Sequence, residues 1–241
     1  MKRSVLVLAL AACVAGGVFA QSLFSAGAGG ILSYAKLGEA SASAEAGGQK
    51  ASVSESYTGL HFGGFVFFDA TFVDLSIAIL TGTSTAKTEE DMPGSPKQSL
   101  EADYTITSLD FTLLGKYPIE ISDSFTFFPL LGAGYNYVLS VKRDGKDVYE
   151  GESERSASDW STFRIHVGVG GDFNFTDKIY LRGQLLGNYA FASKAMKDNA
   201  EDGEKYMKFL AESSGVSNPT VSSEANGGFG GTFKIAVGYR F

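Results

Sequence analysis

The sequence predicts an all-β chain: an antiparallel up-and-down transmembrane β-barrel of about eight strands, with four long outer loops and three short turns. Three observations carry this. The final stretch, FGGTFKIAVGYRF, sets Phe233, Ile235, Val237, Tyr239 and Phe241 on one face and Thr232, Lys234, Ala236, Gly238 and Arg240 on the other. That period of two belongs to a strand with one oily and one polar side. The same alternation returns along the chain, with polar stretches and very short turns taking turns between strands. Finally, mean hydropathy is +0.02 and 13% of residues are aromatic. Yet no window holds the run of about 20 apolar residues that a membrane helix needs. A closed barrel, which satisfies every backbone group from strand to strand, is the remaining way across a bilayer.

The elements follow in order. Strand one spans Leu23 to Lys36, with Phe24, Ala26, Ala28, Leu32 and Tyr34 outward, and a polar loop covers Leu37 to Ser56. Strand two, Tyr57 to Phe68, passes through a tight turn at Asp69-Ala70 into strand three, Thr71 to Thr81, where Asp74, Ser76 and Ala78 face inward. A second loop, Gly82 to Asp103, precedes strand four, Tyr104 to Tyr117, with Asp110, Thr112 and Lys116 inward; the apolar Ile106 breaks that parity and suggests a bulge. The turn Pro118 to Ser124 leads to strand five, Phe125 to Val141, whose Pro129 belongs near a rim because proline cannot donate to a ladder. The charged loop Lys142 to Trp160 precedes strand six, Ser161 to Phe175, with Arg164, His166, Asp172 and Asn174 inward. A turn at Thr176-Asp177 starts strand seven, Lys178 to Ala192, with Arg182, Gln184 and Asn188 inward. The longest loop, Ser193 to Asn226, contains GEKYMKFLAESSG, a short amphipathic helix with Tyr206, Phe209 and Leu210 apolar and a stop at Gly215.

Aromatics gather at strand ends. Tyr117, Phe125, Phe127, Phe173, Phe175, Tyr239 and Phe241 mark one edge, and Tyr34, Tyr57, Tyr104, Trp160 and Phe191 the other, as two interfacial girdles would. A soluble barrel would turn oil inward and charge outward; here lone charges share faces with Gly, Ser and Thr.

Residues 1–20 read as an export signal: Lys2 and Arg3, the apolar run Val5 to Val14, then Val18-Phe19-Ala20 before Gln21. Residues 21–241 are then the barrel. Leu10-Ala11-Ala12-Cys13 offers an alternative, lipidation at Cys13, but the residues after it stay apolar, which favours cleavage after Ala20. Cys13 is the one cysteine, so beyond the signal there is no disulfide framework and no thiolate site.

The 27 acidic and 20 basic residues are unevenly placed. The four loops hold 20 acidic and 11 basic residues, strands and turns balance at seven of each, and the other two basic residues are Lys2 and Arg3 of the signal. An acidic outer surface repels nucleic acid and favours cations. The sequence supports no catalytic, cofactor or metal site. Only His61 and His166 are present, both on inward faces, without thiols or ligand spacing. SAGAGG, VGVGG and GGFGG resemble phosphate loops, but Leu32, Phe173 and Phe233 stand where the third glycine belongs. They read better as places where a narrow interior needs small side chains.

The ending KIAVGYRF, the segment KYPIEISDSFTFFPLLGAGY and the alternating strands resemble the small eight-stranded outer-membrane barrels of the OmpA, OmpX and OmpW kind. The resemblance is architectural and covers the chain after the signal. It implies the outer membrane of a diderm bacterium, loops outside, both termini periplasmic, membrane lipid around the wall, and recognition of the C-terminal strand by the barrel-assembly machinery. Phe233, Ile235, Val237, Tyr239 and Phe241 would then face the membrane.

Three functions stay open, with transport placed ahead of surface binding. Inward Phe65, Phe67, Phe128, Leu130 and Leu186 suit a narrow channel for small or hydrophobic solutes. Long acidic loops suit a surface adhesin or structural barrel that binds a host ligand. A lipid-acting enzyme has the weakest support. Strand direction also gathers Asp74, Lys116, Asp172, Arg182 and Arg240 at one depth near the periplasmic mouth, as a neutralising plug. His61, Asp110, Arg164, His166 and Lys234 face inward further along.

Overall fold

A computed structural model describes residues 24–46, 49–151, 155–213 and 219–241. The expected signal segment and the alternative lipid site at Cys13 lie outside the described residues. One antiparallel sheet contains β1 (Ser25–Ala46), β2 (Gln49–Asp69), β3 (Val73–Asp91), β4 (Gln98–Lys116), β5 (Ile119–Ser122), β6 (Phe125–Arg143), β7 (Lys146–Asp147), β8 (Thr162–Asn174), β9 (Ile179–Ala190) and β10 (Thr220–Arg240). Its order is β4-β3-β2-β1-β10-β9-β8-β6-β5, with β7 paired to β6; β4 pairs with β6 as well, Thr105 to Lys116 against Leu130 to Lys142. Among the described residues no helix is long and apolar enough to cross a membrane.

Among the described residues the count is ten strands rather than about eight. The extra two are short and sit where the sequence suggested a turn and a loop. Ile119–Ser122 folds back on β6, and Lys146–Asp147 pairs with Lys142 and Arg143 across a tight turn. Asp144 and Gly145, at φ 52° and 78°, make that turn. An Asp-Gly pair with both φ values positive matches the twist of a hairpin.

Much of the expected loop sequence is also strand. β1 and β2 pair from Ser25↔Asp69 up to Ala46↔Gln49, so residues 37–46 and 49–56 are paired strand rather than loop. The same holds for most of 82–103, where β3 and β4 pair up to Glu90↔Gln98. A β-strand crossing a bilayer at a tilt uses about 10 residues, so strands of 19 to 22 residues project well beyond an apolar band. On the outer face the band ends near Tyr34, Leu60, Ile79 and Phe229, all exposed. Past it, Ala and Ser alternate in β1 and the outer face is polar.

Helix α1 (Lys194–Ser213) begins earlier than the one the sequence suggested and buries largely a different side; the suggested stop at Gly215 lies outside the described residues. Ala195, Met196, Ala200 and Met207 are covered and Leu210 packs partly buried beside Met207, as its apolar character suggested, whereas Tyr206 and Phe209 are exposed. The reason is the surface it meets. Ala42 and Ala44 of β1 pave the inner face there, and Met207 packs against them. Gly203 comes so close that a Cβ added to it would lie 3.1 Å from the Ala42 Cβ. A face of small residues accepts a close helix presenting Ala, Gly and Met; it has no hollow for rings.

Ile106 keeps the inward face of β4, and the irregularity it suggested lies next to it. The β4–β6 register shifts between Thr107 and Ser108, leaving Leu139 of β6 as the extra residue. The chain end is tied down, with Phe241 N–H donating to Phe24 O at 3.2 Å.

Candidate functional site

The inner face near the chain termini carries a compact ion cluster. Alternation along β9 turns Arg182, Gln184 and Leu186 inward; alternation along β2, β3 and β8 turns Asp69, Asp74 and Asp172 toward them. Arg182 is 1% exposed. Its Nε donates to Asp172 Oδ1 at 2.8 Å and Nη2 to Asp172 Oδ2 at 2.7 Å, a bidentate grip across neighbouring strands. Nη1 donates to Asp74 Oδ2 at 2.7 Å, and Nη2 also reaches Asp69. Lys116 donates to Asp69, and Gln184 Nε2 to Asp74 Oδ2 at 3.1 Å.

Aromatic rings wall the cluster. The Arg182 guanidinium lies 4.7 Å from the Phe67 centroid, 5.2 Å from Tyr180 and 5.3 Å from Phe128; Lys116 Nζ is 4.8 Å from Phe128. Buried cations over ring faces gain more than exposed ones. Two glycines make room for these rings. A Cβ on Gly170 would sit 2.2 Å from Phe128 Cε2, and one on Gly238 would sit 2.1 Å from Tyr180 Cζ. The glycine-rich stretches therefore act here as spaces for rings.

Of the five residues placed together from the sequence, four meet: Asp74, Lys116, Asp172 and Arg182. Arg240 stands aside. It donates to Asn174 Oδ1 at 2.8 Å, and its guanidinium lies over the Tyr180 ring, 4.5 Å from the centroid. Asp69 was missed because strand two was ended at Phe68. It shares parity with inward Phe65 and Phe67, and that signal was sufficient to assign it.

Further along, Lys234 donates to Ser76 Oγ at 2.8 Å and lies 5.3 Å from the Phe65 centroid. Arg164 reaches Asp110 Oδ2 at 3.4 Å, and Thr112 donates to Asp110 Oδ1 at 2.7 Å. Four carboxylates (Asp69, Asp74, Asp110, Asp172) thus pair with Lys116, Arg164 and Arg182, while Lys234 bonds to the Ser76 hydroxyl without an ion pair among the described residues. Asp74 Oδ1, Arg164 Nε, Asn188 Oδ1 and both ring nitrogens of His166 are buried without a partner among the described residues. The cost of burying this network concentrates there. Phe65, Phe67, Leu80, Tyr180 and Ala236 form one apolar layer, and Leu114, Phe128, Leu130 and Leu186 another. Above them is a cavity of about 20 Å³ between His61, Arg164, Trp160 and Met196.

His61 Nε2 lies 3.2 Å from Ser84 Oγ across the β2–β3 pair. The distance suits a base and a nucleophile, but no described carboxylate hydrogen-bonds to His61, so a third member that would orient the ring is lacking. Phe233, Ile235, Val237, Tyr239 and Phe241 are all exposed on the outer face. Three of the aromatics expected in the far girdle are not on that face. Tyr57 is buried, and Tyr104 and Trp160 pack with it on the inner side beside Met196. Tyr57 and Tyr104 have the inward parity of β2 and β4, Trp160 ends a 3-10 turn (Ala157–Trp160), and beyond the apolar band a ring is better covered by α1 than by water. Tyr34 and Phe191 are exposed on the outer side, with Phe163, Tyr189 and Phe229 close to Phe191 in a chain of ring contacts.

A family model described as outer membrane protein beta-barrel domain matches residues 5–241. Comparison with curated proteins yields no match. Among solved structures, the chain is similar to the outer membrane protein OprG from Pseudomonas aeruginosa, with 13% identity, 92% of this chain and 97% of that chain covered, and a TM-score of 0.45. It is similar to Neisserial surface protein A, with 12% identity, coverage of 89% and 99%, and a TM-score of 0.40. It is also similar to Ail of Yersinia pestis, with 15% identity, coverage of 89% and 99%, and a TM-score of 0.29. Scores below 0.5 carry no argument about function, so the assignment rests on the family model.

Proposed function

The chain belongs to the outer membrane protein beta-barrel domain family, and from that premise we propose that its eight long strands close a sealed barrel that displays the far end of the sheet outside the cell. The pairing of β4 with β6 supports closure. The short connections at the terminal end and the long hairpins at the other support periplasmic termini and outer loops in a diderm outer membrane. The exposed apolar face of β10 supports contact with membrane lipid, and its position in the last strand supports recognition by the assembly machinery.

One observation carries the sealed reading. Arg182, Tyr180, Phe128, Lys234, Leu114 and Leu186 are each under 2% exposed and lie stacked along the interior. An eight-stranded interior is just wide enough to be filled by side chains, and here they fill it. The chain then acts as a surface-presenting barrel without catalysis, cofactor or metal. A narrow channel for small or hydrophobic solutes is the second reading, favoured by the two apolar layers, and it requires the ion cluster to move. Single-channel recording in planar bilayers separates the two. We expect no stable conductance from the native chain; reproducible small steps that persist after α1 is deleted would overturn the sealed reading in favour of the channel.

A further inference from the structure

Beyond the apolar band, β2, β4, β6, the 3-10 turn Ala157–Trp160 and α1 surround a pocket of about 410 Å³ that opens to solvent. Its size is that of a site for a small organic ligand. Aromatic rings supply much of its wall. Tyr57 and Trp160 meet edge to face with centroids 4.7 Å apart, and Trp160 Nε1 donates to the Tyr149 hydroxyl at 2.5 Å. That bond ties the two hydroxyl- or NH-bearing edges together and leaves ring faces for a guest. Tyr104 completes the wall, and Arg143 already lies over its ring, 5.9 Å from the centroid.

Two charged side chains line the pocket, and they are not equivalent. Arg155 is engaged: it pairs with Asp202 and donates to Asn199 Oδ1 at 3.1 Å. Glu55 accepts from the neutral Asn199 amide at 3.1 Å, and no described Lys or Arg forms an ion pair with it. Asn199 Nδ2 also donates to the Tyr57 hydroxyl at 2.8 Å, so this amide is fully used in holding wall and carboxylate in place. What remains is a set of ring faces with one carboxylate lacking a counter-ion. The surrounding hairpins, loops and α1 carry the chain's net negative charge, which concentrates cations at the mouth.

We propose that this pocket binds an organic monocation with an apolar body, its charge held by Glu55 and by the faces of Tyr57, Tyr149 and Trp160. Ring quadrupoles attract such a cation, and the attraction grows as the site excludes water. An anion would have to displace Asp202 from Arg155 and then sit beside Glu55. A neutral aromatic would forgo both charge interactions. The proposal rests on the reading of this end as displayed to the outside.

Trp160 is the only tryptophan of the chain, so its emission reports the site directly. The experiment titrates the purified full chain in lipid nanodiscs with benzyltrimethylammonium, then with benzyl alcohol and with phenylacetate as neutral and anionic counterparts. We expect a saturable change with the cation, weaker by about tenfold or more for both counterparts. Glu55→Gln, which keeps the Asn199 contact, should weaken cation binding by about tenfold while leaving heat-modifiable gel mobility unchanged. Absence of a saturable response to the cation, equal response to benzyl alcohol, or a Glu55→Gln variant that binds like the parent would each overturn the proposal. Conductance is not read in this titration, so its failure is separable from failure of the sealed-barrel reading.

Discussion

The two ends of the interior solve one packing problem in different ways. At the terminal end the inner face carries Asp69, Asp74, Asp172, Lys116 and Arg182, which reach across the interior to one another. At the far end β1 and β3 present Ala40, Ala42, Ala44 and Ala86 instead, and a helix covers the face they pave. Within an apolar band no other element can enter, so the strands fill the space with their own long side chains. Charges there are tolerable only when each finds a partner. Beyond the band a helix is available, and small residues that let it approach are the better choice. The terminal end is therefore expected to act as one tightly coupled unit, and the far end as a separable layer.

The largest test of that difference is Arg182→Met. It leaves three buried carboxylates around a neutral side chain, and removing one partner of a buried ion pair costs about 3–5 kcal/mol. Urea unfolding from lipid vesicles should show the loss across the whole barrel. Arg240→Ala, which removes a half-buried hydrogen bond to Asn174 and no ion pair, should cost only about 1 kcal/mol. Equal costs would mean that the cluster is not the coupled unit described.

Next in size is Val237→Arg, which places a charge on the exposed apolar face of β10. If that face meets lipid near mid-depth, the cost is about 2–4 kcal/mol. Ala236→Ser, one residue away on the inner face, should change little. Comparable tolerance at both positions, read from heat-modifiable mobility, would remove the distinction between wall and interior.

The parts of this arrangement that the sequence disclosed are those with strong contrast in period two. Phe65, Phe67, Ile77, Asp110, Arg182 and Val237 each lie on the face their parity assigns. The hairpin extensions were hidden because contrast vanishes outside the apolar band: EASASAEA alternates Ala with Ser or Glu, and both kinds suit a loop. Helix α1 was half hidden for a related reason. KAMKDNAED buries only Ala195, Met196 and Ala200, whereas Tyr206 and Phe209, the loudest apolar signals, are on its exposed side. The pocket around Trp160 was not legible at all, since it unites β2, β4, β6, a 3-10 turn and α1 from distant parts of the chain. Asp69 is different. Its parity was visible, and only the placement of a turn concealed it.

A smaller effect tests whether the far layer is separable. Gly203→Val adds a branched side chain where even a Cβ would be 3.1 Å from Ala42 and 3.7 Å from Val53 Cγ1. Overpacking of this kind costs about 1–3 kcal/mol. The loss should fall on α1 alone. Protease cleavage within residues 194–213 should accelerate while the urea midpoint of the barrel stays in place. A shifted midpoint would join the two ends into one cooperative unit and break the comparison.

The smallest effect is electrostatic and concerns how α1 is anchored. Asp159, in the 3-10 turn before β8, accepts from the Ser156 backbone N–H at 3.0 Å and from Lys194 Nζ at 3.1 Å, the first residue of α1. The Ser156 N–H, and after it the Lys194 ammonium, hold its carboxyl below the ordinary 3.8. A carboxylate with a depressed value stabilises the folded state above its unfolded pKa, and that contribution is lost as pH falls through the depressed value. At neutral pH the anchor is therefore fully present, and it is lost only below about 3.8. Neighbouring Trp160 reports it. We expect the parent to show a change in Trp160 emission below that pH that Asp159→Asn lacks, and the two proteins to differ in α1 protease sensitivity at pH 7 but not at pH 2.5. Since Asn keeps a cap oxygen for Ser156 and loses only the charge toward Lys194, the difference isolates the ionic part of the anchor. Coincident pH profiles would show that packing against Ala42 and Ala44 holds the helix unaided.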